Sequence, residues 1–256
     1  MTQVIHHRQW GAGEPLVAIH GLFGSLHNLG MVTRLLKDSY TVYAIDLPNH
    51  GLSAHTEESS LSSMAAAVAA WMDDIGLSKA HFLGHSLGGK VSMELALRQP
   101  ERVVKLIVAD IAPVAYQRRH DDVFAGFRVV DLKIIEHRAD AYRDMEPFVS
   151  GVLTRDFLLK NLFKEDGRWR WKINLDVLER DYDKLIDGNT TELPPFDGPV
   201  LFIKGEKSSY ILPVHREAIL DRFPRANIRT MSGTDHWLHA EKPEMFASIV
   251  KRFLAS

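Results

Sequence analysis

The chain has 256 residues, of which 45% are hydrophobic and 25% charged, as in an ordinary globular protein with a sizeable core. A formal net charge of −2 excludes a general attraction to nucleic acid or to anionic membranes. No cysteine is present, which excludes disulfides and thiolate chemistry and fits a reducing compartment, so we predict a cytoplasmic protein. Residues 1–10 lack the apolar stretch of a signal peptide, and no run approaches the ~20 apolar residues of a membrane span.

Strand-like and helix-like segments alternate along much of the chain. Short apolar runs bounded by turns predict strands at residues 4–10, 16–19, 40–45, 79–83, 104–109, 200–204 and 228–231. Helix-forming runs lie at residues 28–37, 61–75, 89–98, 214–223 and 243–254. This alternation predicts an α/β fold with a mostly parallel sheet and helices on both faces.

The alternation stops at Pro113 and resumes near residue 200. Residues 114–190 contain no convincing strand and are rich in charged and aromatic residues, with helical runs at 155–163 and 175–186. We predict a core of residues 1–113 and 191–256 and a helical lid at 114–190; a purely structural helical subdomain is the alternative. The lid is favoured because ligands of open α/β sheets bind at the carboxyl ends of the strands, where this segment leaves and returns.

The pattern Gly84–His85–Ser86–Leu87–Gly88 stands between a predicted strand and a predicted helix. A G-x-S-x-G pattern in this context is typical of a nucleophile elbow, a tight turn that holds a serine hydroxyl at the top of a sheet. The glycines are needed because side chains there would clash, and the helix N-terminus favours negative charge. Ser86 is therefore the predicted nucleophile; the alternative is a chance match in an ordinary turn.

A serine nucleophile needs a base to take its proton and an acid to orient that base. The chain has 13 histidines, so position must decide between them. His236 follows the last predicted strand, in a loop before the final helix, from which an imidazole can reach Ser86. We predict His236 as the base, and we expect His239 to pack locally.

Two carboxylates compete for the role of the orienting acid. Asp110 ends an apolar strand where the chain leaves the sheet, and a packing role explains it poorly. Glu206 stands at the start of the loop after the 200–204 strand and is flanked by lysines, as a solvated surface charge would be. We predict Asp110, with Glu206 as the alternative.

An oxyanion hole needs two backbone N–H groups that point at the developing charge. The residue after the nucleophile, Leu87, supplies one in this prediction. The other comes from the glycine-rich loop at 20–25, where we predict Leu22, with Phe23 as the alternative. We expect His20 and Asp46 to brace these loops rather than to act in catalysis.

Candidate substrate contacts surround these groups. We assign Phe23, His85, Arg118, Arg119 and Trp237 to this set, with simple packing as the alternative role for His85. The two arginines follow the strand that carries Asp110 and could hold an anionic group such as a CoA phosphate or a carboxylate. The alternative is a solvated helix face on which they pair with the acids at 121 and 122.

Five motifs together carry a family resemblance: HGLFGS at 20–25, DLPNHGLS at 46–53, GHSLGG at 84–89, DIAP at 110–113 and HWLHAEKP at 236–243. From about Pro15 to its end the chain resembles the α/β-hydrolase superfamily, and within it most closely the bacterial YbfF-type esterases. The resemblance implies the α/β-hydrolase fold and a serine esterase or thioesterase for small acyl esters, with acyl-CoA thioesters in the substrate class. It implies no metal or organic cofactor, and it allows the acid on the earlier strand, at Asp110.

The residue at the nucleophile elbow decides between several activities that this fold can carry. Haloalkane and epoxide hydrolysis need a carboxylate there, and Ser86 argues against both. Carbon–carbon bond hydrolysis and cofactor-free perhydrolysis use the same triad, so the motifs leave them open, and a ligand-binding receptor on a hydrolase fold also stays open. The predicted partner is a small-molecule ester or thioester, with no nucleic acid and no membrane span.

Overall fold

The computed structural model describes residues 5–256 and contains nine strands within them. Their bounds are β1 His7–Trp10, β2 Glu14–Ile19, β3 Tyr40–Ile45, β4 Ala80–His85, β5 Val103–Ala109, β6 Leu162–Glu165, β7 Arg168–Trp171, β8 Val200–Gly205 and β9 Ala226–Met231. Residue 4, which the sequence assigned to the first strand, lies outside the described residues.

Seven of these strands form one sheet in the order β1-β3-β2-β4-β5-β8-β9. β1 runs antiparallel to β3, and the other neighbours are parallel, which confirms the predicted α/β class. From β2 the chain winds outward through β3 and then returns to place β4 on the other side of β2. Ligands of such sheets bind where the winding reverses, at the carboxyl ends of the strands. At that point Ile19 of β2 pairs with Gly84 of β4, and the loops that follow carry the glycine-rich motif and the elbow.

Eleven α-helices occur among the described residues, several of them short. Their bounds are α1 Gly30–Leu36, α2 Leu61–Asp74, α3 Leu87–Arg98, α4 Asp121–Val129, α5 Arg138–Met145, α6 Val152–Leu158, α7 Leu175–Arg180, α8 Tyr182–Ile186, α9 Arg216–Arg222, α10 Leu238–Glu241 and α11 Pro243–Leu254. Between residues 5 and 256, no helix combines the length and the apolar character that crossing a membrane requires.

The sheet has an apolar core on each face because its strands are apolar on both sides. In β2, Val17 and Ile19 belong to the cluster that contains α2 and α3. Leu16 and Ala18 point to the opposite cluster, which α1 and α11 cover. The first cluster continues into the apolar residues of α4 to α8, so the segment between β5 and β8 packs on the same face as the elbow helix α3.

The segment between β5 and β8 contains α4 to α8 and the two-stranded hairpin β6–β7. The prediction that residues 114–190 hold no strand is therefore wrong. Asp166 and Gly167 join the strands, and both have positive φ, 49° and 77°, as the tightest hairpin turns require. The helix predicted at 155–163 ends at Leu158, because the chain makes a 3-10 turn at Leu159–Asn161 and then enters β6. The role of the segment as a lid stays a prediction.

Candidate active site

Ser86 occupies the sharp turn between β4 and α3, with φ 52° and ψ −118°. A non-glycine residue in this region is strained, and such strain is concentrated at functional sites. The turn closes only because its neighbours lack side chains: a Cβ on Gly84 would lie 2.2 Å from the carbonyl oxygen of Gly88, and one on Gly88 would lie 2.3 Å from that of Ile19. The structure thus has the elbow geometry that the pattern predicts.

The imidazole of His236 is oriented by a buried carboxylate. Its Nδ1 lies 2.8 Å from Oδ2 of Asp110, which has no exposed surface. The same carboxylate accepts a hydrogen bond from the amide of Gly205 at 3.0 Å and one from the hydroxyl of Ser208. Since an ionised carboxylate only accepts, we assign the proton of His236 to Nδ1, which leaves Nε2 able to accept one.

The alternative acid lies elsewhere. Glu206 is exposed, and its Oε2 accepts the N–H of Gly233 at 2.7 Å, in the loop that leads to His236. Within residues 5–256 no hydrogen bond joins Ser86 Oγ to His236, and such catalytic bonds often tighten only when substrate is bound. The structure thus brings His236 to Asp110 and not to Glu206.

The two predicted oxyanion donors share one property. Among the hydrogen bonds of residues 5–256, none uses the amide N–H of Leu22 or of Leu87. The alternative donor, Phe23, gives its N–H to Nε2 of His50 at 3.2 Å and so has none to offer a substrate. The geometry therefore favours Leu22 over Phe23 beside Leu87.

The glycine-rich loop is braced by two buried histidines. Nδ1 of His20 donates to the carbonyl oxygen of Gly21 at 2.8 Å, and its Nε2 accepts the amide of Leu47. Nδ1 of His50 donates to the carbonyl of Pro48, which leaves its Nε2 to accept from the loop. Burial lowers the pKa of both imidazoles, that of His50 to about 3, so both are neutral acceptors at neutral pH. The expected bracing role of His20 is confirmed.

Asp46 braces the same region from the next strand. Its Oδ1 accepts the amide of Leu26 at 2.7 Å, and its Oδ2 accepts the amide of Leu52 at 2.9 Å. Oδ2 also lies 2.9 Å from Nδ1 of His6. The expected role of Asp46 as a loop organiser is confirmed.

A narrow cavity opens beside Ser86. Its wall is formed by Leu22, Ser86, Leu87, Lys90, Ile111, Tyr116, Gln117, Arg119, His120, Tyr182, Leu185, Ile186 and Tyr210. Its volume is about 30 Å³, no more than a few water molecules need. More than half of the wall comes from the segment between β5 and β8.

His85 lies behind the catalytic imidazole rather than in the cavity wall. Its Nε2 donates to the backbone carbonyl of His236 at 2.9 Å, and its ring centroid is 4.8 Å from that of His236 and 4.3 Å from that of His239. Burial lowers the pKa of His85 well below its usual value and that of His239 to about 3. His85 therefore supports the loop of His236, which corrects its assignment as a substrate contact, and His239 packs locally as expected.

The other predicted substrate contacts divide between packing and the cavity. Phe23 is buried, with its ring centroid 5.2 Å from that of Phe124, and Trp237 packs on Phe157 at 5.3 Å, so neither forms the wall. Arg118 pairs with acids on the surface. Arg119 alone of this set lies in the cavity wall.

Three important residues were not predicted. The hydroxyl of Ser208 supports Asp110, the ring of Tyr210 stacks on that of His236 at 4.0 Å and 22°, and the ammonium of Lys90 lies buried at the cavity. Ser208 and Tyr210 lie in the loop after β8, which contains no aspartate. No spacing of residue types in that loop predicts which of its side chains meets Asp110.

Among residues 5–256, no group of three or more histidine, cysteine, aspartate or glutamate side chains is spaced to hold a metal ion.

Comparison with known proteins supports the resemblance that the motifs carry. The profile of the Alpha/beta hydrolase family matches residues 16–249. Esterase YbfF of Escherichia coli K12 is 37% identical over 242 residues, which are 94% of this chain and 93% of that protein. The sn-1-specific diacylglycerol lipase ABHD11 of mouse is 35% identical over 94% of this chain and 80% of its own length.

A solved structure shows the same fold throughout. An esterase from a marine microorganism superposes with a TM-score of 0.95 at 37% identity, and the match covers 98% of this chain and 99% of that one. The predicted resemblance, the fold and the carboxylesterase type of hydrolase are confirmed by these relatives.

Proposed function

Because this chain belongs to the alpha/beta hydrolase family, we propose that it cleaves carboxylic esters through an acyl intermediate on Ser86. The observation that carries the proposal is the bond between His236 and buried Asp110 beside the strained serine. An oriented imidazole with an available Nε2 is what a serine hydroxyl needs to become a nucleophile.

The reaction follows from these groups. Nε2 of His236 takes the proton of Ser86 Oγ as the oxygen attacks the ester carbonyl carbon. The amide N–H groups of Leu22 and Leu87 donate to the resulting oxyanion. When the tetrahedral intermediate collapses, the bond to the leaving oxygen breaks and His236 returns the proton to it. Water then attacks the carbonyl carbon of the acyl-Ser86 intermediate, with His236 again as the base, and the carboxylic acid product is released. Asp110 stays ionised throughout.

Two finer features belong to the proposal. Acyl thioesters, acyl-CoA among them, enter the substrate class through the YbfF-type resemblance, and a thiolate is a better leaving group than an alkoxide in this mechanism. The predicted cytoplasmic location rests on the lack of cysteine. Rates measured on one sample with matched oxygen esters and thioesters test whether thioesters are cleaved. Cell fractionation tests the cytoplasmic location.

We propose the segment 114–190 as a lid that sets substrate choice. It forms most of the cavity wall, and the cavity is too small for a long acyl chain unless the segment moves. Movement of the lid would therefore decide which chain lengths are accepted. Exchange of this segment between related esterases should transfer the chain-length preference; if the preference stays with the core, the segment is only structural.

Replacement of Ser86 by alanine tests the central step. We expect a loss of ester hydrolysis on the order of 10³- to 10⁶-fold, together with loss of covalent labelling by a fluorophosphonate. Ser92→Ala is the matched control, because this serine lies in α3, the helix that follows Ser86, and its hydroxyl donates to the carbonyl of Gly88. Labelling of the Ser86→Ala variant, or activity within about tenfold of the parent, would contradict the proposal. A ligand-binding receptor would show no ester hydrolysis in the parent protein.

A further inference from the structure

Two neighbouring arginines have opposite electrostatic surroundings. Arg118 is neutralised by two carboxylates, with Nη2 2.7 Å from Asp121 and Nη1 2.7 Å from Asp183. Arg119 makes no ion pair with any acid among residues 5–256, and its Nη1 donates to the hydroxyl of Ser209 at 3.0 Å. The sequence allowed either a paired surface charge or a cleft residue for these arginines. Arg118 is the paired surface charge, and Arg119 lies at the cavity.

Aromatic rings lie against the guanidinium of Arg119, although the residue is exposed to solvent. Its Cζ lies 5.0 Å from the ring centroid of Tyr210 and 5.9 Å from that of Tyr116. The ring of Tyr210 stacks on the imidazole of His236, so one aromatic ring separates the guanidinium from the proposed base. A guanidinium held in this way loses little conformational freedom when it binds a ligand.

Arg119 gives the cavity wall a positive charge that no aspartate or glutamate of the wall balances. Lys90 also lines the cavity, but burial lowers its pKa to about 7, so it carries only part of a charge at neutral pH. The ammonium of Lys90 donates to the carbonyl oxygens of Val114 and Asp187, which occupies it. Arg119 keeps most of its five N–H donors unused, in a planar fork that matches the two oxygens of a carboxylate or a phosphate.

We propose that Arg119 forms an anion subsite of the active site, which selects esters that carry a carboxylate or phosphate group close to the scissile bond. This inference rests on the proposed ester hydrolysis at Ser86. The anionic group can belong to the acyl part or to the leaving group, and both present the same oxygens to the guanidinium. The preferred substrates are then half-esters of short dicarboxylic acids or esters of anionic alcohols.

Matched substrate pairs test the subsite. For the acyl side, mono-4-nitrophenyl glutarate is compared with 4-nitrophenyl pentanoate, which lacks the carboxylate. For the leaving side, 4-acetoxyphenyl phosphate is compared with 4-methoxyphenyl acetate. Each substrate is assayed with the parent protein and with Arg119→Gln, Arg119→Lys and Arg118→Gln, the last being the neighbouring arginine outside the cavity.

The expected result is a split by charge. The parent protein should favour the anionic member of at least one pair, and Arg119→Gln should raise KM for that member by about 10- to 100-fold, the usual effect of a charged hydrogen bond. The neutral member should change less than about twofold, Arg119→Lys should restore part of the preference, and Arg118→Gln should leave it intact. Added salt should weaken the preference of the parent protein, a measurement that needs no variant.

Two outcomes would overturn the inference. A parent protein that favours the neutral member of both pairs has no anion subsite. An Arg119→Gln variant that handles charged and neutral esters equally poorly would show that Arg119 only braces Tyr116 and Tyr210. Failure of the proposed ester hydrolysis is a separate result, since neutral esters would then show no turnover that depends on Ser86.

Discussion

Asp110 differs from a surface carboxylate in the number of donors that surround it. A backbone amide, a serine hydroxyl and the imidazole of His236 all point at its two oxygens, and its own φ of 54° is unusual for a residue other than glycine. An aspartate tolerates this conformation better than most residues. The strained backbone turns the carboxylate from the end of β5 toward the loop that carries His236.

Replacing Asp110 by asparagine should lower kcat on the order of 10³- to 10⁴-fold, because the amide favours the wrong tautomer of His236 and cannot balance the imidazolium. Glu206→Gln is the matched control, and its effect should stay below about tenfold. Steady-state kinetics with one neutral ester measures both variants. If Glu206→Gln proves to be the more damaging change, the acid has been misassigned.

Position in the chain was enough to predict that Ser86, His236 and Asp110 each follow a strand at the same edge of the sheet. The supporting contacts of Ser208 and His85 could not be predicted in the same way. They depend on the side-chain path of a loop and on a bond to a main-chain carbonyl, and no spacing of residue types encodes either.

The hairpin β6–β7 shows where element prediction failed. The strands have four residues each, and the second reads Arg-Trp-Arg-Trp, so charge masked the alternation. The Asp166–Gly167 pair between them is the one strong hairpin signal in this stretch. The apolar strands of the sheet were predicted well because burial on both faces leaves continuous apolar runs.

Lys90 joins the proposed lid to the elbow helix. It lies in α3, and its ammonium donates to Val114 at 2.8 Å and to Asp187 at 2.6 Å, near the two ends of the segment. Its Nζ also lies 5.2 Å from the ring centroid of Tyr116. Burial lowers its pKa to about 7, despite Asp187 and Glu94, so burying this charge costs more than its contacts return.

Lys90→Met should therefore change global stability little but loosen the segment, because two carbonyl oxygens lose their donor while the cost of the buried charge disappears. Hydrogen exchange should accelerate in residues 114–190 and not in the strands of the sheet. Lys184→Met is the control, since that exposed lysine pairs with Asp181 within the segment. Unchanged exchange in Lys90→Met, in a folded protein, would refute this role.

The whole molecule buries several neutral histidines. Burial lowers the pKa of His20 and His85, and it lowers those of His50 and His239 to about 3 and that of His120 to about 4. In the unfolded chain these histidines have a pKa near 6.5, so below that pH they bind protons that they do not bind in the folded state. Their contribution to stability is complete above the unfolded value and is lost as the pH falls from there toward the folded values.

The free energy of unfolding should accordingly fall between about pH 6.5 and pH 4, by about 1.4 kcal/mol per pH unit for each such histidine. Urea unfolding at several pH values measures the slope. His239→Phe removes one titrating group from a site packed against Phe246. The free energy of unfolding of this variant should therefore depend less steeply on pH, by about one proton. A midpoint that does not move between about pH 7 and pH 5 would contradict this account.

The two hydrogen bonds of Lys90 to the segment also affect how such a protein can change through evolution. The ammonium of Lys90 donates to two main-chain carbonyl oxygens, which every amino acid has. These two hydrogen bonds therefore do not depend on the side chains at positions 114 and 187. A lineage can then replace the whole segment, the proposed determinant of substrate choice, without needing a new attachment. The lysine that makes both bonds belongs to α3, the part of the chain that is not exchanged.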